Sequence, residues 1–182
     1  MSYINLEEEF EDCRSARIYL VHKNYDKALE IFCKMLETVT AQEESYPYVL
    51  MEYATCLVES TFYTAEQEAL QAFRTAIRTE NTQIDEDTEY AWNCLENCRV
   101  SFEILNDTVA LIKVHKYLGD ILCFNNEFEK AIEEYKKAES YCIENEELAE
   151  IYEDIAEAYK NMNKEKEGEE YLKRSKKYRE EI

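Results

Sequence analysis

The sequence predicts an all-α fold of about four antiparallel helix pairs in a single domain, residues 1–182, and three observations predict it. Only two of the 182 residues are glycine and one is proline, which leaves little material for tight β-hairpins. Apolar residues make up 46% of the chain and recur at helical spacing. One helical motif also occurs twice, which indicates that the chain is built from repeated helix pairs.

The repeated motif is "NYDKALEIFCKML" at Asn24–Leu36 and "EFEKAIEEYKKAE" at Glu127–Glu139. Each copy follows a segment with its own helical periodicity, Ile4–Val21 before the first and Leu111–Phe124 before the second, so each motif is the second helix of a pair. The second pair also has small and large residues at the spacings of the tetratricopeptide repeat (TPR), where small residues let two helices approach closely. These residues are Leu118, Gly119, Leu122, Ala131, Tyr135 and Ala138.

Extending this register along the chain predicts a TPR superhelix whose last repeat ends in a capping helix. Its four repeats are residues 5–40, 46–105, 108–143 and 146–182. The second repeat is irregular because three helical segments lie between Tyr46 and Leu105, one more than a pair requires. We interpret residues 61–88 as an insertion and residues 80–89 as an acidic, helix-poor loop. Periodicity leaves open whether Ala65–Arg78 or residues 90–102 form the regular partner helix.

Charge and cysteine content limit the functional classes. Forty-one acidic and 21 basic residues give a net charge of −20, which repels nucleic-acid phosphates and anionic lipid headgroups and favours a basic partner. No segment reaches the roughly 18 apolar residues of a membrane span. Seven cysteines without an apolar N-terminal stretch predict a reducing compartment, in which most of them serve as small core residues.

Catalytic and metal-binding patterns are not found in the sequence. Two glycines cannot form a phosphate-binding loop, and His22 and His115 have no serine or cysteine partner at a recognisable spacing. Cys94 and Cys98 could offer two zinc ligands from one helix face, but no second pair completes a zinc site. We therefore predict a protein that is not an enzyme and has no metal or cofactor.

Carboxylates carry the most distinctive pattern. Four glutamates spaced 4, 3 and 4 residues apart form one stripe along a predicted helix: Glu146, Glu150, Glu153 and Glu157. Such neighbours repel one another by a few tenths of a kcal/mol per pair, so the stripe is either a solvated face or a binding site for cations. In the TPR register, the last three glutamates face the concave groove, as do Asp120 and Glu59. The groove is therefore predicted to be acidic.

A family resemblance adds to this interpretation. The helix with Ala91-Trp92, Leu95-Glu96 and Cys98-Arg99-Val100 is followed by the TPR motif at residues 117–141 and by "LAEIYEDIAEAY" at residues 148–159. Together these segments resemble the nuclear autoantigenic sperm protein (NASP) family of histone chaperones over roughly residues 16–178. The second TPR of that family is split by a long acidic insertion. Here the acidic part is short and consists of Glu80, Asp85, Glu86, Asp87 and Glu89.

The resemblance implies a nuclear chaperone, shuttling with the cytoplasm, that binds histone H3 or H3–H4 in an acidic groove. Glu150 would lie in the segment that receives the histone, and Phe124 would add apolar contact. The predicted partner-binding residues are Glu59, Asp85, Glu86, Asp87, Asp120, Phe124, Glu146, Glu150, Glu153 and Glu157. We expect no direct contact with nucleic acid or membrane. The sequence leaves open whether the chain forms a homodimer.

Two alternatives belong to the general class of TPR adaptors. An adaptor for the C-terminal peptide of a heat-shock chaperone needs a Lys, Asn and Arg clamp, whereas the corresponding positions here hold Cys13, Arg17 and Met51. A vesicle-fusion adaptor would also be acidic and helical. The basic cluster at residues 173–179 is either a nuclear import signal or a helix C-terminus whose cations offset the helix dipole.

Overall fold

A computed structural model of the chain describes residues 4–75 and 82–180. All of the regular secondary structure in these ranges is helical, which confirms the predicted all-α fold. The helices are α1 (Leu6–Glu9), α2 (Cys13–Val21), α3 (Tyr25–Thr38), α4 (Tyr46–Thr75), α5 (Thr82–Leu105), α6 (Thr108–Phe124), α7 (Phe128–Tyr141), α8 (Asn145–Asn161) and α9 (Glu165–Glu180). The chain divides into two compact units, Met1–Ser101 and Phe102–Ile182.

Asparagines make most of the tight turns that glycine would make elsewhere. In the turns after four of the helices, one residue has a positive φ, between 53° and 62°. These residues are Lys23, Asn106, Asn126 and Asn163. The next residue then donates its N–H to a carbonyl five positions back, as from Glu127 to Leu122 at 2.8 Å. This bond is the signature of a Schellman cap, and asparagine tolerates the left-handed conformation that the cap requires. The turn after α2, α5, α6 and α8 is thus formed in the same way each time.

In the first unit, α2 packs on α3 and α3 packs on α4. The small residues Ala16 and Ala28 and the large Phe32 are fully buried, as the TPR register predicts. The prediction of one continuous helix over Ile4–Val21 is wrong, because the chain breaks between α1 and α2. Five of the six residues from Glu7 to Asp12 are acidic, and like charges four positions apart disfavour a continuous helix.

The middle of the chain differs from the sequence prediction. The two segments that we expected after Tyr46 are one 30-residue helix, α4. No glycine or proline after Pro47 interrupts it, so nothing in the backbone forces a turn. The prediction of an acidic loop is also wrong for the residues that the structure describes. Residues 82–89 form the first turns of α5, and Thr88 is buried. Glu80 lies outside the described residues.

The second unit contains two antiparallel pairs, α6 with α7 and α8 with α9, and α7 also packs on α8. Gly119 on α6 allows the first pair to close, since a Cβ there would lie 2.4 Å from Cε1 of Tyr135 on α7. Tyr135 is 3% exposed, and Leu118 and Ala131 beside this contact are fully buried. The small and large residues that predicted a TPR therefore have the contacts expected of them.

The burial of the cysteines agrees with most of the sequence prediction. All seven thiols are free, and Cys13, Cys56, Cys94 and Cys98 are buried, which confirms their predicted place in the core. Cys33 is exposed and is an exception to that prediction. None of the helices in the described parts of the chain combines the length and apolarity needed to cross a membrane.

Candidate functional site

Two polar stripes, one on α6 and one on α8, form the main charged cluster of the second unit. Lys116 and Asp120 are one turn apart on α6, and Glu150, Asp154 and Glu157 are at successive turns of α8. The opposite faces of both helices are apolar and buried, with residues such as Leu118 and Ile155. Burial of those faces fixes the direction in which the polar stripes point. We call Lys116, Asp120, Glu150, Asp154 and Glu157 the α6–α8 cluster.

Lys116 is the cation of this cluster. Its Nζ lies 2.7 Å from Oε2 of Glu150 and 4.0 Å from Oδ2 of Asp154. Burial acts to lower the pKa of Lys116, but the hydrogen bond to Glu150 and the charge of Asp154 outweigh it and the pKa is raised. The lysine therefore stays charged at neutral pH and is paired with Glu150 and Asp154.

Asp154 has a strongly raised pKa. Burial and the nearby charge of Asp120 raise its pKa to about 7, although Lys116 acts in the opposite direction. The charges of Glu150 and Glu157 raise the pKa further. Asp154 thus loses its proton near neutral pH, and an added cation would favour the charged form because it offsets these repulsions.

A tyrosine from α7 positions Asp120. The hydroxyl of Tyr135 donates to Oδ1 of Asp120 at 2.7 Å, and the same hydroxyl lies 3.6 Å from Sγ of Cys123. Burial and the charge of Asp120 raise the pKa of Tyr135, so its hydroxyl remains a donor at neutral pH. Packing of Tyr135 on Gly119 therefore links the core of the α6–α7 pair to the orientation of a carboxylate in the cluster.

The predicted glutamate stripe separates into three environments. Glu150 and Glu157 belong to the cluster. Glu153 instead faces α9, where it makes two hydrogen bonds of 2.9 Å with Arg179 and accepts a third from Ser175 at 2.8 Å. These contacts lower the pKa of Glu153. Glu146 is exposed in the first turn of α8. Glu153 is thus already bound to a cation within its own helix pair.

The remaining predicted residues lie at helix surfaces in both units. Phe124 is the half-buried last residue of α6 in the second unit. Glu59 is half-buried on α4 in the first unit, where its charge raises the pKa of Tyr25 after the larger effect of burial. The three acidic residues at the start of α5 are also in the first unit, and only the third is half-buried: Asp85, Glu86 and Asp87.

Arg17 bears on the heat-shock adaptor alternative, because it was the one cation at the predicted clamp positions. Its Nη1 lies 3.1 Å from Glu7 and its Nη2 lies 3.0 Å from Glu52, which is only 7% exposed. The other two clamp positions, Cys13 and Met51, are buried. Two carboxylates therefore hold the guanidinium, and a terminal carboxylate would have to displace them.

The histidines have structural partners. Nδ1 of His115 lies 2.7 Å from Oε2 of Glu134, and its ring stacks on Tyr141 at 5.9 Å. Nδ1 of His22 lies 2.8 Å from the carbonyl oxygen of Ile18. Within residues 4–75 and 82–180, no three His, Cys, Asp or Glu side chains have an arrangement that would hold a metal ion.

Of the residues in the α6–α8 cluster, the sequence prediction includes Asp120, Glu150 and Glu157 but not Lys116 and Asp154. Helical spacing showed which carboxylates share one face of α8, but it does not show which residue of another helix meets them. The pair formed by Lys116 and Glu150 joins positions 34 residues apart. The "KYLGD" segment did contain a signal, because the TPR register that placed Asp120 in the groove also places Lys116 one turn before it.

Comparison with known proteins finds likeness to solved repeat structures. A Podosopora anserina kinesin light chain with nearly identical TPR-like repeats is 16% identical, with 93% of each chain covered and a TM-score of 0.49. MamA is 18% identical, with 99% of this chain and 98% of that chain covered and a TM-score of 0.46. A MamA structure from AMB-1 is 15% identical over 93% of this chain and 98% of its own, with a TM-score of 0.43.

No protein-family model and no curated protein matches the chain. All three structural likenesses have TM-scores below 0.5, so the description of the fold rests on the chain's own helix packing. The NASP resemblance remains an inference from the residues that carry it.

Proposed function

We propose that this protein is a non-enzymatic histone chaperone that binds H3 or H3–H4 through the α6–α8 cluster. TPR helix pairs form surfaces that bind other proteins, and the net charge of −20 favours a basic partner over nucleic acid. A nuclear location, with shuttling to the cytoplasm, follows from such a partner. The NASP resemblance supplies the identity of the histone.

The observation that carries the proposal is the imbalance of charge in the cluster. The cluster contains four carboxylates and one ammonium, and the side chain of Glu150 is 50% exposed although it is paired with Lys116. A lysine or arginine of a partner can approach Glu150 and Glu157 from solvent, because both residues are exposed. Each added cation would reduce the repulsion that raises the pKa of Asp154.

The mechanism follows from competition between anions. Carboxylates of the cluster would bind lysine and arginine side chains that otherwise contact DNA phosphates. The histone would be kept from aggregation and released when DNA offers a higher density of negative charge. This function needs no bond to be made or broken, which agrees with a site built from carboxylates and one paired lysine.

The contacts of Arg17 disfavour the heat-shock adaptor. Binding a peptide C-terminus there would require the guanidinium to leave Glu7 and Glu52, and the buried Glu52 would lose its ion pair with Arg17. The α6–α8 cluster is acidic and would repel such a terminus. No contact in the described parts of the chain favours a vesicle-fusion partner over a basic one.

Charge reversal within the cluster tests the proposal. The variant Glu150→Lys/Asp154→Lys should lower affinity for H3 and H3–H4 on the order of 100-fold at about 0.15 M salt, because like charges in contact cost several kcal/mol. The control Glu167→Lys/Glu170→Lys changes exposed positions of α9 and the net charge by the same amount. It should lower affinity by less than about 3-fold, and added salt should remove that loss.

The measurement is fluorescence anisotropy with labelled H3 and with H3–H4, after circular dichroism has shown that each variant is helical. The neutral variant Glu150→Gln/Asp154→Asn serves as a second test if charge reversal disturbs folding. Failure of the unmodified protein to bind either histone would contradict the histone assignment. Equal losses in the cluster variant and the α9 control would contradict the assignment of the site.

A further inference from the structure

A separate cleft lies between α8 and α9, and it shares Glu157 with the α6–α8 cluster. It has a volume of about 500 Å³, within the range of roughly 300–1,000 Å³ that is usual for ligand sites. Residues of both helices line it: Glu153, Ala156, Glu157, Lys160, Glu165, Gly168, Glu169 and Leu172.

Small residues form the floor of the cleft. A Cβ at Gly168 would lie 3.0 Å from the carbonyl oxygen of Ala156, so the two helices approach closely at this point. Because neither residue has a side chain that extends over the floor, the trough above them stays open. Leu172, one turn after Gly168, forms an apolar wall and is 43% exposed. The floor and wall together would accept aliphatic side chains along about two turns of a helix.

The rim of the cleft is acidic. Four of its lining residues are glutamates and one, Lys160, is a cation. Glu153 is held by Arg179, whereas the structure gives Glu157, Glu165 and Glu169 no hydrogen bond or ion pair with a described side chain. An apolar floor between unpaired carboxylates is complementary to a surface with one apolar side chain flanked by cations.

We propose that this cleft binds a short basic helix of a partner protein. One or two aliphatic side chains of that helix would lie on Ala156, Gly168 and Leu172, and its lysines or arginines would reach Glu165 and Glu169. A helix presents residues four apart on one face, which matches the spacing of Gly168 and Leu172 along α9. Long basic side chains can extend over apolar surface to carboxylates at the rim.

Other occupants fit the cleft less well. A second copy of the chain would bring another net charge of −20 to an acidic rim. An anionic membrane surface would be repelled for the same reason. The proposal goes beyond the histone site because Glu157 is the residue that the cleft shares with the α6–α8 cluster and its other lining residues lie outside that cluster, and the partner of the cleft need not be a histone.

A synthetic helical peptide of about 15 residues provides the test, with two leucines four positions apart and lysines beside them. The full chain should bind this peptide at about 0.15 M salt. Glu165→Lys/Glu169→Lys should lower the affinity by at least about 10-fold, because it places cations against the peptide lysines. The matched control Glu167→Lys/Glu170→Lys, on the same helix but outside the cleft, should lower it by less than about 3-fold.

Two further measurements separate docking in the cleft from general attraction to an acidic protein. Replacing both peptide leucines by alanine should weaken binding by about 10-fold, and the leucine peptide should shift the methyl NMR signals of Leu172. Equal losses for the two α9 variants, or no dependence on the leucines, would overturn the proposal. The cluster variant Glu150→Lys/Asp154→Lys should retain most peptide binding, so failure of the histone site and failure of the cleft give different results.

Discussion

Nζ of Lys116 lies 2.7 Å from Oε2 of Glu150, so α6 supplies a cation to the carboxylates of α8. The repulsion expected along the glutamate stripe is therefore partly relieved inside the protein. Arg179 has the same effect on Glu153. A basic partner at the α6–α8 cluster would compete with Lys116 for these carboxylates, which makes Lys116 a determinant of affinity.

Replacing Lys116 by methionine should strengthen binding to H3. The variant keeps the aliphatic part of the side chain and leaves Glu150 and Asp154 without their cation. We expect an increase of about 5-fold, corresponding to about 1 kcal/mol, because pairs this exposed are worth little more. Calorimetric titration with H3–H4 would measure it.

Lys137→Met is the control for this prediction, since Lys137 is also ion-paired, to Glu134 at 2.6 Å, but lies on α7. It changes the net charge equally and should leave the affinity within about 2-fold. A similar gain in both variants would show that only the total charge matters.

Asp154 should make stability depend on pH. A folded-state pKa of about 7 lies above the ordinary value of 3.8, so the folded state binds more protons than the unfolded state between these limits. Stability therefore falls as pH rises from about 4 to about 7. Asp154→Asn should stabilise the protein at pH 8 by about 1–2 kcal/mol, discounted for partial exposure, and by much less at pH 5.

Urea denaturation at pH 5 and at pH 8 would test the Asp154 prediction. The comparison variant is Glu153→Gln, because Arg179 and Ser175 lower the pKa of Glu153. That substitution should lower the free energy of unfolding most at pH values above the unfolded-state pKa of Glu153. The effect should become smaller as the pH falls below that pKa. An Asp154→Asn effect that is the same at both pH values would show that the carboxyl titrates normally.

Gly119→Ala should destabilise the second unit despite the higher helix propensity of alanine. The new Cβ would lie 2.4 Å from the ring of Tyr135, which is buried and held by its hydrogen bond to Asp120. Overpacking of this kind costs about 1–3 kcal/mol, against a propensity gain of about 1 kcal/mol. We expect a net loss of up to about 2 kcal/mol in chemical denaturation.

A double-mutant cycle identifies the cause of that loss. In a Tyr135→Leu background the ring is absent, so Gly119→Ala should become neutral or stabilising. A loss of the same size in both backgrounds would show that the new methyl group meets some other part of the structure.

Thiol reactivity should follow burial. Cys33 is exposed and should react with an aromatic disulfide reagent at pH 8 in a fast phase. Burial raises the pKa of the Cys56 thiol to about 12 and also raises the pKa of Cys98, so both should react only after unfolding. Cys33→Ser should remove the fast phase, and a fast phase that remains would show that another thiol is accessible.

The sequence was sufficient to predict the helix pairs of the second unit. Gly119, Ala131 and Tyr135 carry the packing information themselves, because only a small residue opposite a large ring lets α6 and α7 close. The chain around α4 has no comparable signal. Its helix-forming residues continue past the position where a TPR turns, and local periodicity does not distinguish one long helix from two short ones.

The candidate site could be predicted only in part for a related reason. The spacing of Glu150 and Glu157 is a property of one helix and can be derived from the sequence. The contact between Lys116 and Glu150 depends on how two helices pack, and so does the burial that perturbs Asp154. The charge of the acidic start of α5 predicts a loop, but this segment is helical, and acidic residues are favourable near a helix N-terminus.

The contact between Gly119 and Tyr135 also restricts the order in which substitutions can accumulate. A larger residue at position 119 is acceptable only after the ring at position 135 has become smaller, because the ring occupies the space of the missing Cβ. If the larger residue at position 119 came first, it would overpack against the ring that is still present at position 135. Tyr135 also positions Asp120, so either order of substitution alters the α6–α8 cluster. Through Gly119, a change of the binding surface therefore depends on a change in the core.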